Sequence, residues 1–289
     1  MADFLRYLGF KAVTLMSVLL PRRFLYWVGL RAAELYYFFD KKNRAAVKAN
    51  LRVILGPGAG AARVRYEAIW VFRNFAKYLA EFFGYSRFAR RFIDRYVGTR
   101  GTGHLDAALR AGNGGIICSA HFCNWELGGA VVSHLGYPVT AIVQEYESKR
   151  LREMFRRQRA AKQFAAIPKE GAALKALRLL RNNEFVAVLG DRDVDHNGVA
   201  VTFFGRRVML PQAPARFAIA TGAALIPAFI MRRLNDCFIF FFEKPIPVPE
   251  EGTKREKVVA MMQAYADVLA EYVRRYPDQW AVFYRVWDE

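Results

Sequence analysis

The chain has 289 residues, of which 54% are hydrophobic and 15% aromatic, and its 44 Lys and Arg outnumber its 26 Asp and Glu to give a net charge of +18. This apolar fraction excludes a disordered chain, and three scattered cysteines exclude a disulfide scaffold. A chain that is both basic and apolar is more typical of proteins on anionic membranes than of nucleic-acid binders. We therefore expect an anionic membrane lipid, and no nucleic acid, among its partners.

The first 55 residues are predicted to form an N-terminal segment of amphipathic, membrane-associating helices. Two apolar stretches, Phe4–Leu20 and Phe24–Phe39, both carry charged residues, and the longest uncharged run in the first of them is residues 12–20. A bilayer span needs about 20 apolar residues, so the pattern favours helices that lie in the membrane interface. A tilted single span and two helices buried in a soluble bundle are the alternatives.

Residues 56–289 are predicted to form one α/β catalytic domain. Its first element after Gly56–Gly60 is a helix over Ala62–Phe83, where apolar residues recur at helical spacing. The basic run SRFARRFIDRYVGTR follows at residues 86–100. This run is either a solvated basic face or a contact for phosphate or phospholipid.

From about residue 100, short apolar runs alternate with helical patterns. The predicted strands are Gly115–Ala120, Val139–Val143, Phe164–Ile167, Phe185–Leu189, Ala224–Ile230 and Cys237–Phe242. The predicted helices are His104–Ala111, Trp125–Leu135, Leu151–Ala161, Gly171–Arg181 and Pro214–Thr221. This alternation predicts an α/β fold with a mostly parallel central sheet flanked by helices, and active sites of such folds lie at the carboxyl ends of the strands.

A candidate catalytic pair follows the first of these strands. His121 lies at its carboxyl end, Asn124 can cap the next helix, and Glu126 falls in the first turn of that helix. We expect the Glu126 carboxylate to accept a hydrogen bond from one imidazole nitrogen of His121, leaving the other to take a proton. The alternative is an ordinary buried histidine followed by a glutamate favoured by the helix dipole.

Signatures of several other chemistries are missing from the sequence. The chain has no G-x-S-x-G elbow, Walker A loop or H-E-x-x-H helix, and its cysteines lack zinc-site spacing. Cys123 lies two residues after His121, but a small residue in a tight turn is favoured over a thiol nucleophile. We therefore predict that the protein uses no metal and no cofactor.

The pattern around His121 resembles the H-x4-D/E motif of the bacterial lipid A biosynthesis (lauroyl/myristoyl) acyltransferases, and the resemblance extends in order along nearly the whole chain. Cys123 and Ala213 depart from it, since the pattern usually has glycine there. The related phosphatidylinositol mannoside acyltransferases usually carry Asp where this chain has Glu126, which favours the lipid A branch. The other matching segments are Lys41–Leu55, Phe75–Phe82, Gly101–Leu109, Gly190–Asp193, Val201–Gly205, Pro211–Arg232 and Tyr276–Arg285.

The resemblance implies a membrane-bound acyltransferase that moves a fatty acyl chain from an acyl carrier protein or CoA thioester to a hydroxyl of a lipid A-type glycolipid. His121 would be the general base and Glu126 would orient it. Arg159, Asp191 and Asn124 would bind substrate or the oxyanion, with Asp191 orienting Arg159 or a polar group of the acceptor. The enzyme would lie on the cytoplasmic face of the bacterial inner membrane, held by its N-terminal segment.

Two further groups have weaker assignments. Phe203, Phe204 and Gly205 would shape an acyl groove, or simply belong to the core. A basic cluster would contact lipid phosphate or the acidic carrier, or be a solvated helix face; it comprises Lys149, Arg150, Arg156 and Arg157. Alternatives for the whole chain are the same chemistry on another acceptor, such as a phosphatidylinositol mannoside, and a non-catalytic lipid-binding protein.

Overall fold

The computed structural model of the protein describes residues 2–84, 89–162 and 164–287. Its centre is a seven-stranded sheet in the order β1-β9-β8-β2-β5-β3-β4, accompanied by a separate β6–β7 hairpin. The strands are β1 Val97–Arg100, β2 Gly115–Ser119, β3 Val139–Val143, β4 Ala165–Pro168, β5 Phe185–Leu189, β6 Val199–Phe203, β7 Arg206–Leu210, β8 Ala224–Arg232 and β9 Phe238–Phe242.

The sheet is mostly parallel, as predicted. Strands β8, β2, β5, β3 and β4 all run in one direction, and β1 runs parallel to β9. The exception is the β8–β9 hairpin, which is antiparallel. Ile116, Phe185 and Val186 are fully buried in the centre of the sheet, as expected for strands covered on both faces.

Helices cover the sheet, and the helices nearest the N-terminus pack together beside it. The long helix α4 packs against α1, α2 and α3, while α11 packs against β6 and β8. Leu51 of α3 and Val71 of α4 join the main core together with the sheet residues. The helices are α1 Ala2–Leu19, α2 Arg22–Phe39, α3 Lys41–Leu55, α4 Ala61–Gly84, α5 Ala89–Tyr96, α6 Gly103–Ala111, α7 Trp125–His134, α8 Lys149–Ala161, α9 Ala172–Arg181, α10 Ala213–Thr221 and α11 Lys254–Arg275.

Three features have no counterpart in the sequence prediction. Strand β1 is four residues long and only half-buried, so its sequence carries little strand signal. The β6–β7 hairpin buries alternate residues and stands apart from the main sheet. Helix α11 begins with a capping box between Thr253 and Glu256, a start signal that is visible in the sequence.

The N-terminal helices expose many large apolar side chains. Within the described residues, no helix combines the length and the apolar character that crossing a membrane requires. Large apolar side chains of α1 and α2 at least 45% exposed are Phe4, Leu8, Leu15, Leu19, Phe24, Trp27, Leu35, Tyr36, Phe38 and Phe39. Of the basic run at 86–100, residues 86–88 lie outside the described residues, and the rest forms α5 and β1.

Candidate active site

His121 lies at the carboxyl edge of the sheet and is held by a buried carboxylate. Its Nδ1 is 2.9 Å from Oδ1 of Asp191, and its backbone N–H donates to Oδ2 of the same residue at 2.9 Å. The Asp191 side chain has no exposed surface, whereas 28% of the His121 side chain is exposed. Within the described part of the chain, Nε2 of His121 has no hydrogen-bond partner, so the pair can offer this nitrogen to a substrate.

The register of two neighbouring strands brings this pair together. Strands β2 and β5 are parallel, and Ser119 is paired with Leu189. His121 and Asp191 each lie two residues beyond that pair, at the same edge of the sheet. The sequence predicts that both residues follow the end of a strand, since Asp191 comes two residues after the predicted strand Phe185–Leu189. Only the strand order makes them neighbours.

Asp191 is surrounded by donors that favour its charged form. Burial alone would raise the pKa of Asp191, but the His121 ring, the His121 amide and the Trp280 indole together hold it below its ordinary value. The Trp280 Nε1–H donates to Oδ2 at 3.0 Å. Because the carboxylate stays ionised, it can fix the histidine tautomer and stabilise an imidazolium.

The segment after α11 fastens the turn that carries His121. The Cys123 N–H donates to the Gln279 carbonyl at 2.7 Å, and the Ala281 N–H donates to the His121 carbonyl at 2.8 Å. The Gln279 amide in turn exchanges two hydrogen bonds with the backbone of Arg232 on β8. Gln279 and Trp280 are thus positioning residues without an assigned role in the sequence prediction, although both fall in its Tyr276–Arg285 segment.

Cys123 occupies the tightest point of this turn. Its φ of 51° is in the left-handed region, where a side chain costs roughly 1 kcal/mol and glycine is favoured. This conformation explains why the resembling pattern has glycine at the position. The thiol is 4% exposed, and burial raises its pKa to about 12, so it is not available as a nucleophile.

Glu126 does not orient His121, which corrects the sequence prediction. Its carboxylate instead pairs with Arg159 of α8, whose Nη2 lies 2.6 Å from Oε1 and whose Nε lies 3.1 Å from Oε2. Glu126 is in the first turn of α7, beside the last turn of α8, whereas the imidazole faces the loop after β5. The prediction that Asp191 orients Arg159 is also wrong, because Asp191 holds His121 and Arg159 pairs with Glu126.

The Glu126–Arg159 pair is largely shielded from water, with side-chain exposures of 7% and 13%. Burial opposes the charge on Arg159, but the Glu126 carboxylate outweighs it and raises the pKa of the guanidinium. Arg159 is therefore a fixed cation near the turn.

Asn124 connects the turn to a second buried cluster. Its Oδ1 accepts from the Leu127 N–H and so caps α7, as predicted. Its Nδ2 donates to Glu81 of α4, and Glu81 pairs with Arg232 and also accepts from the Tyr26 hydroxyl. The side chains of Glu81 and Arg232 are 2% and 4% exposed. Asn124 thereby ties the turn to the N-terminal helices.

Of the remaining predicted site residues, Phe203 packs against Trp280, the indole that donates to Asp191, with ring centres 5.7 Å apart. Phe203 is 2% exposed and stacks on Trp287, while Phe204 and Gly205 form the tight turn of the β6–β7 hairpin. On α8, Arg156 and Arg157 both pair with the exposed Glu153, and Lys149 and Arg150 are exposed at the helix start. Their roles in an acyl groove and in carrier or lipid contact stay predictions.

Comparisons with known proteins define the class of this α/β protein: the chain is an acyltransferase. It belongs to the bacterial lipid A biosynthesis acyltransferase family, whose model matches residues 2–289.

Two curated relatives carry a more specific name. The phosphatidylinositol mannoside acyltransferase of Mycobacterium tuberculosis (strain ATCC 25618 / H37Rv) is 28% identical over 262 residues, which cover 87% of this chain and 79% of that protein. The phosphatidylinositol mannoside acyltransferase of Mycolicibacterium smegmatis is 30% identical over 189 residues, which cover 64% of this chain and 60% of that protein.

Proposed function

We propose that the protein transfers a fatty acyl group from an acyl thioester to a hydroxyl of a glycolipid, with His121 as general base. The observation that carries this proposal is the hydrogen bond between Nδ1 of His121 and the fully buried Asp191 carboxylate. A histidine fixed through one nitrogen and open at the other is suited to take a proton from a weakly acidic hydroxyl.

The reaction needs no covalent enzyme intermediate. The acceptor oxygen attacks the thioester carbonyl while Nε2 of His121 takes its proton. The tetrahedral intermediate then collapses, the carbon–sulfur bond breaks, and the proton passes to the leaving thiolate. Asp191 stabilises the imidazolium in between, and general-base assistance of this kind contributes roughly 10²–10⁴-fold.

The oxyanion of the intermediate needs donors close to His121. Asn124 caps α7 through the Leu127 N–H, and the amides of a helix's first turn lack partners within the helix, so those of Trp125 and Glu126 are the first candidates. Arg159 is the second candidate, with Glu126 as the carboxylate that keeps it in place. In this proposal Glu126 acts through Arg159 and not through the imidazole.

The acceptor that the relatives favour is a phosphatidylinositol mannoside-type glycolipid, because the two curated relatives described above carry that name. A lipid A-type glycolipid is the second candidate, supported by the description of the family. The donor is an acyl carrier protein or CoA thioester, and no metal or other cofactor takes part in the proposed chemistry.

We also propose that the enzyme works on the cytoplasmic face of the inner membrane. Exposed apolar side chains on α1 and α2, such as Leu15, Leu19 and Trp27, suit helices that lie in the bilayer interface. Replacing all three with serine should move the protein from the membrane fraction to the supernatant on centrifugation. Full retention of this variant in the membrane fraction would contradict the proposed anchor.

The test of the function is acyl transfer by purified protein in detergent. Each thioester would be offered with each glycolipid, and the products identified by mass spectrometry. We expect transfer by the parent and a loss of at least about 100-fold in His121→Ala. His134→Ala is the matched control, because His134 also pairs with an acid, Asp94, at 2.7 Å, but lies at the far end of α7.

Two outcomes would contradict the proposal. Full activity in His121→Ala would exclude this histidine as the base. Lipid binding by the parent without turnover on any donor and acceptor pair would favour a non-catalytic lipid-binding protein.

A second experiment identifies the acceptor independently of the purified system. It is mass spectrometry of the membrane lipids after deletion of the gene.

A further inference from the structure

A basic hollow lies beside strands β1 and β9, in a part of the molecule that the proposed acyl transfer does not use. Its volume is about 290 Å³. We name it the arginine hollow after Arg95, Arg100 and Arg233, which line it together with Tyr96 and Cys237. This volume is just below the usual range of ligand sites, about 300–1,000 Å³, and so suits a headgroup better than an acyl chain.

The three arginines are exposed and available to a ligand. Among the described residues, no carboxylate forms an ion pair with any of them. Asp94, the acid in the wall of the hollow, is occupied by His134 at 2.7 Å. The hollow therefore has an excess of positive charge and attracts an anion.

Aromatic rings support two of these cations. The Arg95 guanidinium lies 5.5 Å from the centre of the Tyr96 ring, and that of Arg100 lies 5.8 Å from the Phe241 ring. A guanidinium that rests on a ring keeps its N–H groups for an oxyanion, and its planar fork suits the oxygens of a phosphate.

The hollow lies at the same edge of the sheet as the candidate active site. Its walls include Val97 and Phe238, which pair at the starts of β1 and β9, next to the end of β8. Because β8 is parallel to β2, this is the edge that carries His121. Three strand spacings, about 14 Å, separate β1 from β2.

Exposed apolar residues border the hollow. Leu234, in the β8–β9 turn next to Arg233, is fully exposed. Arg22 at the start of α2 donates to the carbonyl of Asp236 in the same turn, and its guanidinium lies 4.4 Å from the centre of the Tyr96 ring. Within two turns of Arg22 along α2, Phe24 and Trp27 expose their stacked rings.

We propose that the arginine hollow binds the phosphate of an anionic lipid headgroup. The lipid's acyl chains would remain in the bilayer, which Leu234 and the exposed rings of α2 would meet. A soluble phosphate ester offers the same phosphate oxygens without the acyl chains. A test that compares vesicles with such an ester therefore distinguishes a lipid headgroup from a free phosphate ester. The assignment does not depend on which glycolipid accepts the acyl group.

Cys237 provides a native probe of the hollow. Its thiol lines the hollow and is partly exposed, while Cys118 and Cys123 are buried. The rate of alkylation of Cys237 by iodoacetamide, followed by mass spectrometry on the full chain, therefore reports occupancy. We expect vesicles of phosphatidylcholine with phosphatidylglycerol to slow the reaction at least about tenfold relative to phosphatidylcholine alone, because three cations near an anionic surface act together.

Two triple variants separate the hollow from general surface charge. Arg95→Gln, Arg100→Gln and Arg233→Gln together should abolish the protection. The matched control removes the same charge at the opposite edge of the sheet by Arg110→Gln, Arg178→Gln and Arg181→Gln, all exposed at helix ends that lead into β2 and β5. The control should retain the protection, and circular dichroism would check the fold of both.

Three results would overturn the proposal. Equal protection in the hollow variant and the parent would exclude these arginines as the contact. Equal loss in the control would mean non-specific attraction to the membrane. Protection by soluble glycerol 3-phosphate that matches the vesicles at equal phosphate concentration would assign the hollow to a free phosphate ester instead of a lipid.

Discussion

Two clusters, each built on a buried carboxylate and a basic partner, lie at the same edge of the sheet. They differ in how much of the basic partner is exposed to water. In the first, buried Asp191 holds His121, which is 28% exposed. In the second, buried Glu81 holds Arg232, and both side chains are at most 4% exposed. Because a substrate can reach only a partly exposed group, the first pair is suited to chemistry and the second to holding the turn through Asn124. Exposure, and not the presence of a charged pair, separates the two roles.

The largest expected effect is on the exposed pair. Asp191→Asn removes the charge that fixes the His121 tautomer, so we expect kcat to fall by at least about 100-fold with little change in the circular dichroism spectrum. Asp193→Asn is the control, since Asp193 lies in the same loop but accepts from the nearby Gly198 N–H. Equal losses in the two variants would mean that the effect comes from the loop and not from the histidine.

The buried pair should affect stability before activity. Glu81→Gln removes the carboxylate nearest to the buried Arg232 guanidinium and leaves it Asp236, whose Oδ1 is 3.7 Å away. Breaking a buried pair of this kind costs about 3–5 kcal/mol. Urea unfolding should show this loss. Glu153→Gln, which removes an exposed carboxylate paired with Arg156 and Arg157, should leave the unfolding midpoint almost unchanged. A parent-like midpoint in Glu81→Gln would contradict a structural role for the second cluster.

A smaller effect is expected from the indole that links Asp191 to the C-terminal segment. Trp280→Phe keeps the ring but removes the N–H that donates to Oδ2, so kcat should fall about tenfold, with KM for the thioester nearly constant. Trp287→Phe is the matched control, because its buried indole donates to the Phe203 carbonyl instead. A change in KM alone would assign Trp280 to substrate binding.

The smallest effect concerns Lys162, a buried lysine that senses the Glu126–Arg159 pair and Glu81. It is 7% exposed, donates to the Phe82 carbonyl, and feels the charges of Glu126, Arg159 and Glu81. Burial lowers its pKa to about 7, below the unfolded value of about 10.4. Between these values the unfolded chain binds the proton and the folded chain does not, so this group raises stability as the pH rises.

Lys162→Met should therefore gain stability relative to the parent at low pH and lose that advantage at high pH. We expect the difference in unfolding free energy between variant and parent to fall by about 1–3 kcal/mol from about pH 6 to about pH 9. Urea unfolding of both proteins at the two pH values measures it. A difference independent of pH would mean that Lys162 is charged in the folded state throughout this range.

The sequence by itself determined most of the sheet. Strands β3 and β5 have the predicted bounds, because buried parallel strands are short, apolar runs bounded by polar turns. It also placed His121 and Asp191 at strand ends and Asn124 at a helix cap, since these depend on local pattern. Strand β1 was not predicted, because a half-buried edge strand lacks the run of apolar residues that marks a buried strand.

Only the tertiary structure determined which side chains pair with one another in the candidate active site. From the sequence, Glu126 was the natural acid for His121, five residues away, but the register of β2 and β5 brings Asp191 to the imidazole and leaves Glu126 to Arg159. Trp280 and Glu81 reach the turn from segments more than 40 residues distant in the chain. Strand order and helix packing set such long-range contacts, and a local pattern carries no information about either.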